Sequence, residues 1–179
     1  DGVMADVATT EETEGETPLT NAIINNDIEL VKQLLKDGAD VNEKNGLNES
    51  PIIATSYTNE EQINLKMLKL LLDNGADPAI GDEDDWTILH AAVQMQDKAA
   101  IDLLLKYGAD INHPDAFGET PIFETTYDVD DVKTFQYLVE KGADLSIKNV
   151  DGQTVADVAK DNGATNISKW LKNRKEITL

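Results

Sequence analysis

The tripeptide Gly-Ala-Asp occurs at Gly38 to Asp40, Gly75 to Asp77, Gly108 to Asp110 and Gly142 to Asp144, at intervals of 37, 33 and 34 residues. A second signal, a hydroxyl residue usually followed by proline, falls at Thr17, Ser50, Thr87, Thr120 and Thr154, at intervals of 33, 37, 33 and 34. Two signals that share one period restrict the chain to an array of like units, each a single supersecondary element that buries its apolar face only against a neighbour.

Each signal has a local task. A hydroxyl side chain can accept a hydrogen bond from an unpaired N–H of a helix's first turn, and proline fits the first helical position without losing a needed donor. The hydroxyl residues therefore predict five helix starts, followed by short Ala-rich runs such as "TILHAAVQ" from Thr87. A second run in each unit, "IELVKQLLKDG", "LKMLKLLLDNG", "AAIDLLLKYG" and "VKTFQYLVEKG", is apolar at helical spacing and ends at glycine. Gly38, Gly75, Gly108 and Gly142 are predicted to take the left-handed conformation just beyond a helix C-terminus. Polar connectors rich in Asn, Asp and a second Gly then lead to the next hydroxyl, as "NHPDAFGE" does between Asn112 and Glu119.

This order of helix, helix and turn, with "TPL" and "TILHAA" openings, resembles the ankyrin repeat. The resemblance implies an all-α solenoid of about five helix-turn-helix units joined by β-turn or hairpin connectors. It runs over residues 12–172, in units of about 12–44, 45–81, 82–114, 115–148 and 149–172. Only the third unit keeps the family's histidine, as His90; Thr20, Ile53, Phe123 and Asp157 stand at the equivalent positions. The glycine before the helix-opening hydroxyl survives as Gly15, Gly118 and Gly152 but becomes Asn48 and Asp85, residue types that tolerate positive φ. Extra residues in "YTNEEQIN" and near Asp128 to Asp131 read as lengthened loops between the helices of units two and four. In unit five, Ile167, Trp170 and Leu171 can seal the last core layer while Lys169, Lys172, Arg174 and Lys175 face water, the pattern of a cap. Residues 1–11 are predicted to be an acidic disordered tail and 173–179 a C-terminal tail.

Charge sets the class of partner. With 35 acidic against 15 basic residues the formal charge is −20, the wrong sign for nucleic acid or an anionic membrane surface and the right sign for a basic protein. No apolar run reaches the roughly 18 to 20 residues that span a bilayer. The absence of cysteine removes disulfides, thiolate nucleophiles and Cys-based zinc sites, and fits a reducing cytoplasm. A start at Asp1 also fits an exported or lipid-anchored mature chain. Capped ends and high charge predict a monomer.

No constellation for chemistry emerges. His90 and His113 share no metal-ligand spacing, the first reading as a helix-opening residue and the second as an exposed turn. "GDEDDW", counted from Asp82, puts Thr87 where a calcium-binding EF-hand loop needs glycine and Val93 where it needs glutamate. "DVDD" at Asp128 to Asp131 reads as acids at a helix N-terminus. No phosphate-binding glycine loop or nucleophile elbow is present, so no cofactor, metal or catalytic residue is expected.

Binding is the remaining class. The resemblance implies a concave surface made of connector tips and the solvent-facing positions of the first helices. Those positions are Asn21 and Asn25, then Ala54, Tyr57 and Thr58, then Ala91, Gln94 and Met95, then Glu124, Tyr127 and Asp128. Connectors add Asp82, Asp84, Asp85 and Trp86, and His113, Asp115, Phe117 and Glu119. Aromatic residues among acids suit a basic protein partner, with Trp and Tyr as anchors. The candidate partner-binding set is Tyr57, Asp82, Asp84, Asp85, Trp86, Met95, Phe117, Glu124, Tyr127 and Asp128. The expected function is a non-catalytic protein-interaction module. Its alternatives are an immunity-type or inhibitory neutraliser of a basic toxin or nuclease, and a structural segment of a larger protein.

Overall fold

The tripeptide is explained atom by atom in the computed structural model, which describes residues 15–177. Gly38 sits one residue past the C-cap of α2 (Ile28–Lys36) with φ 98°, and a Cβ there would meet nothing within 4 Å. The left-handed φ, rather than space, is what demands glycine. Its N–H bonds the Leu35 carbonyl and the Ala39 N–H reaches back to Leu34 at 3.0 Å, satisfying two orphan carbonyls of the helix end. Asp40 then accepts the Asn42 N–H at 2.9 Å and starts the connector. Asp77, Asp110 and Asp144 do the same for the residues two further on.

The elements form five pairs. First helices are α1 (Pro18–Ile24), the 3₁₀ helix η1 (Pro51–Ser56), α4 (Ile88–Gln94), the 3₁₀ helix η2 (Pro121–Thr126) and α7 (Val155–Asp161). Second helices are α2, α3 (Leu65–Asp73), α5 (Lys98–Lys106), α6 (Val132–Glu140) and α8 (Thr165–Ile177). First helices pack in succession, α1 on η1, η1 on α4, α4 on η2 and η2 on α7, and the second helices form a layer behind them. One core of Ile23, Ile53, Leu68, Leu89, Leu104, Phe123, Phe135 and Ile167 runs through the stack. The architecture is all-α, with no strand among the described residues. Each connector is a turn closed by a backbone bond from its first residue to its fifth, Asn45 to Glu49, Asp82 to Trp86, Asp115 to Glu119 and Asn149 to Gln153. A second bond runs from its fourth residue's N–H to the first residue's carbonyl, and the first residue's side chain fills the loop. Asn48 and Asp85 hold φ at 62° and 55°, as their residue types predict.

Units two and four depart from the expected helix start. Thr17, Thr87 and Thr154 cap α1, α4 and α7 through reciprocal bonds with Thr20, His90 and Asp157. Ser50 and Thr120 make no cap bond, and Ile53 and Phe123 at the responding position have no side-chain polar group to return one. The Ser50 hydroxyl donates to the Ile80 carbonyl at 2.6 Å, and the Phe123 N–H bonds the Thr120 carbonyl at 3.0 Å. Thr55 and Thr125 instead donate to the carbonyls three residues back, at 2.7 and 2.8 Å, and Ser56 and Thr126 repeat the bond. Side-chain bonds of that reach compete with the α ladder and favour the tighter 3₁₀ turn. The same two-unit alternation marks Asn42 and Asn112, each of which binds the Gly-Ala-Asp turn of the following unit through both its amide atoms.

Two other expectations change. The last helix continues to Ile177, so residues 173–177 are helical rather than tail, and the predicted acidic tail, 1–11, lies outside the described residues. Asp130 and Asp131 do serve helix N-termini. Asp131 caps α6, while Asp130 accepts the N–H groups of Asn166 and Ile167 at the start of α8, one unit further along.

Asp97 is a buried cross-unit link of the same kind. Its buried carboxylate caps α5 through Ala100 N–H at 3.1 Å and accepts Ile63 N–H from the unit-two loop at 2.8 Å. Asp97→Ala leaves both buried donors unpaired and is expected to lower stability by about 2 to 4 kcal/mol in urea titrations, with Asp97→Asn losing less.

Candidate functional site

The candidate residues divide by unit. Trp86 ends the second connector, half-buried, where a Cβ on Gly81 would lie 2.3 Å from its carbonyl oxygen, so glycine lets that turn close. Asp82 holds the turn from inside by accepting the N–H groups of Asp84 and Trp86 at 2.9 and 3.0 Å. Asp84 and Asp85 point to solvent.

From this turn the Trp86 indole N–H reaches the next unit and donates to Glu124 Oε1 at 3.0 Å. Glu124 stands where units two and three carry Ala54 and Ala91, and those alanines are buried at 2% and 1% exposure rather than solvent-facing as expected. The packing of successive first helices closes over that position. Glu124 is consequently 9% exposed, and its second carboxylate oxygen has no hydrogen-bond partner among the described residues. Burial, reinforced by Asp115, Glu119 and Asp128, pushes its pKa up to about 7 against the pull of the indole.

Tyr127, 43% exposed, follows η2 and donates its hydroxyl to Glu119. Tyr57 does the same to Glu49 in unit two. Burial and these carboxylates hold both phenols well above their ordinary range. Asp82 and Glu16 add to the field at Tyr57, so the row of acids and rings runs from unit one to unit four. Glu119 also accepts from Asn149 at 2.9 Å, and its carbonyl accepts from His90 Nε2 at 2.8 Å. Because the Thr87 N–H donates to His90 Nδ1, the proton sits on Nε2. Burial lowers the His90 pKa to about 4.

Other candidates lie apart. Met95 is the C-cap of α4 and packs partly on the core. Phe117 is 54% exposed at the tip of its connector, and Asp128 is exposed in the loop after η2. His113 lines a separate hollow with Asp77, Leu89 and Tyr107. Among the described residues no group of three or more His, Cys, Asp or Glu is placed to hold a metal ion, and no helix is long and apolar enough to cross a membrane. The organising role of Glu49 and Glu119 was not foreseen, although the eight-residue Glu-to-Tyr spacing recurs in both units.

Charge is segregated across the layers. Apart from Lys44, Lys148 and Lys160, the lysines of residues 15–174 and Arg174 all lie on a second helix or its C-cap. The resolved ion pairs, Lys32 with Glu29 and Lys69 with Asp73, lie along second helices too.

The family model for ankyrin repeats (three copies) matches residues 19–115 and 52–149. The chain is 37% identical over 106 residues to a fission yeast protein, ankyrin repeat-containing protein P1E11.10 of Schizosaccharomyces pombe, covering 56% of this chain and 47% of that one. It is 28% identical to human palmitoyltransferase ZDHHC13, over 87% of this chain and 30% of the relative. It is 27% identical to human SH3 and multiple ankyrin repeat domains protein 2, over 83% of this chain and 8% of the relative. The chain thus spans less than half the length of these relatives.

The raised Glu124 pKa has a defined sign. An acid whose folded pKa lies above its unfolded value is most favourable when protonated, so its contribution is lost as pH rises from about 4.5 through 7. His90 acts oppositely, its contribution being lost as pH falls from 6.5 toward 4. Glu124→Gln keeps an acceptor for the indole and removes the ionisation. The stability of this variant relative to wild type is expected to increase between pH 5 and pH 8, by up to about 3 kcal/mol, in denaturant titrations across that range.

Proposed function

Because the chain belongs to the ankyrin-repeat family, whose repeats are protein-interaction modules, we propose that it is a non-catalytic module that binds a basic protein through the face formed by its first helices and connectors. The observation that carries the reading is the segregation of charge. Acids crowd the connectors of units two to four, joined by Glu124 on η2, around Tyr57, Trp86, Phe117 and Tyr127, while most bases lie on the opposite layer. Repeat arrays bind through an extended concave surface. Exposed rings supply contact area there, and the surrounding field speeds encounter with a cation-rich partner. The chain acts as a monomer in this reading, since like charge on the binding face opposes self-association.

Neutralisation of a basic toxin or nuclease would use the same face. A role as a segment of a larger protein is supported by relatives that extend well beyond the matched region.

Affinity capture from a source lysate, with wild type and a Trp86→Ala/Tyr127→Ala double variant of matched circular dichroism, tests the proposal. Wild type is expected to retain a basic protein at low salt and release it as salt rises, and the double variant to retain less than a tenth as much. Equal capture by both proteins would move the interface elsewhere.

A further inference from the structure

Glu124 is an expensive residue to keep where it is. Its equivalents in units two and three are alanines that pack without penalty, whereas a carboxylate in that position is largely desolvated, has one oxygen with no partner among the described residues and open to solvent, and is surrounded by Asp115, Glu119 and Asp128. No lysine makes an ion pair with it among the described residues. Its other oxygen is fixed by the Trp86 indole, which spans two units to do so, and the Tyr127 ring is held beside it through Glu119. The arrangement is thus pre-ordered by hydrogen bonds and short of positive charge.

We propose that the patch of Trp86, Glu124 and Tyr127 receives one arginine side chain of the partner, its guanidinium donating to the open Glu124 oxygen and lying against the aromatic rings. This rests on the binding face proposed above and deepens it from a field to an anchor. Arginine fits better than lysine for three reasons. Its planar fork can donate to Glu124 and to a neighbouring carboxylate together. Its weaker hydration lowers the cost of entering a site that is largely buried on the Glu124 side. Its flat face stacks on rings, which an ammonium cannot do.

The chain carries its own reporters, since Trp86 lies in the patch and Trp170 packs edge-on against Phe135 at 5.6 Å in the last unit. Indole N–H resonances of the ¹⁵N-labelled protein are followed at constant ionic strength on addition of N-acetyl-arginine amide, its neutral isostere N-acetyl-citrulline amide, or N-acetyl-lysine amide. The arginine compound is expected to move the Trp86 resonance saturably and leave Trp170 in place. The citrulline compound should move neither, and the lysine compound should bind about five-fold or more weakly than arginine. Glu124→Gln, which preserves the indole bond, and Tyr127→Leu, at an exposed position, should each weaken the arginine response, with an unchanged Trp170 resonance reporting an intact fold. The anchor is overturned if arginine and citrulline act alike, if lysine matches arginine, or if the response survives Glu124→Gln. Capture of a basic protein by the face together with any of those results would remove the anchor and leave the broader reading standing. Loss of both would remove both.

Discussion

A short helix pair has apolar residues on two sides and can cover only one by pairing. The other must meet the next pair, so the whole molecule depends on handing each unit to its neighbour in one fixed orientation. That orientation is set where each second helix ends. Glycine in the left-handed region stops the helix, the next N–H caps its carbonyls, and the aspartate side chain bends the chain into the connector. Each connector then tightens around the side chain of its first residue and delivers a hydroxyl to the next helix start. Packing follows from this geometry: first helices touch first helices, and a single core threads the stack.

The surface inherits the same regularity. Because every unit is held alike, equivalent positions line up, and one substitution at one register position changes the character of the face. Alanine at positions 54 and 91 is covered by neighbouring helices, while the same position in unit four holds Glu124. Burial then does to the carboxyl what no surface acid would experience, and the nearby acids add to it. The alternation between units with reciprocal caps and units with 3₁₀ helices acts at a second level. It leaves Tyr57 and Tyr127 at the ends of short helices, where Glu49 and Glu119 from the preceding connectors can reach them. Function is thus read from departures within a repeat whose fold is uniform.

Much of the backbone was legible in the sequence because its signals are local. The helix-closing glycines, the positive φ of Asn48 and Asp85, and the caps at Thr17, Thr87 and Thr154 are each decided within a few residues. The 3₁₀ starts were decided just as locally, by an apolar residue at the responding position and hydroxyls at Thr55 and Thr125, but the Ser-Pro and Thr-Pro pairs masked that competition. What could not be read locally depended on stacking. The burial of Ala54 and Ala91, the bond from Trp86 to Glu124, and the carboxylate of Asp97 shared between two units all join residues some thirty positions or more apart or depend on neighbouring units. Periodicity identifies such residues as equivalent without saying which neighbour covers them.

The central claim is that the face of first helices and acidic connectors, rather than the lysine-bearing second helices, is the binding surface. Hydrogen exchange of the chain alone and with its captured partner tests it most directly, since slowed exchange maps contact along the backbone. The account predicts protection concentrated in residues 82–95 and 115–128, with α3, α5 and α6 exchanging as in the free protein. Protection confined to those second helices, with the two connector regions unchanged, would contradict it.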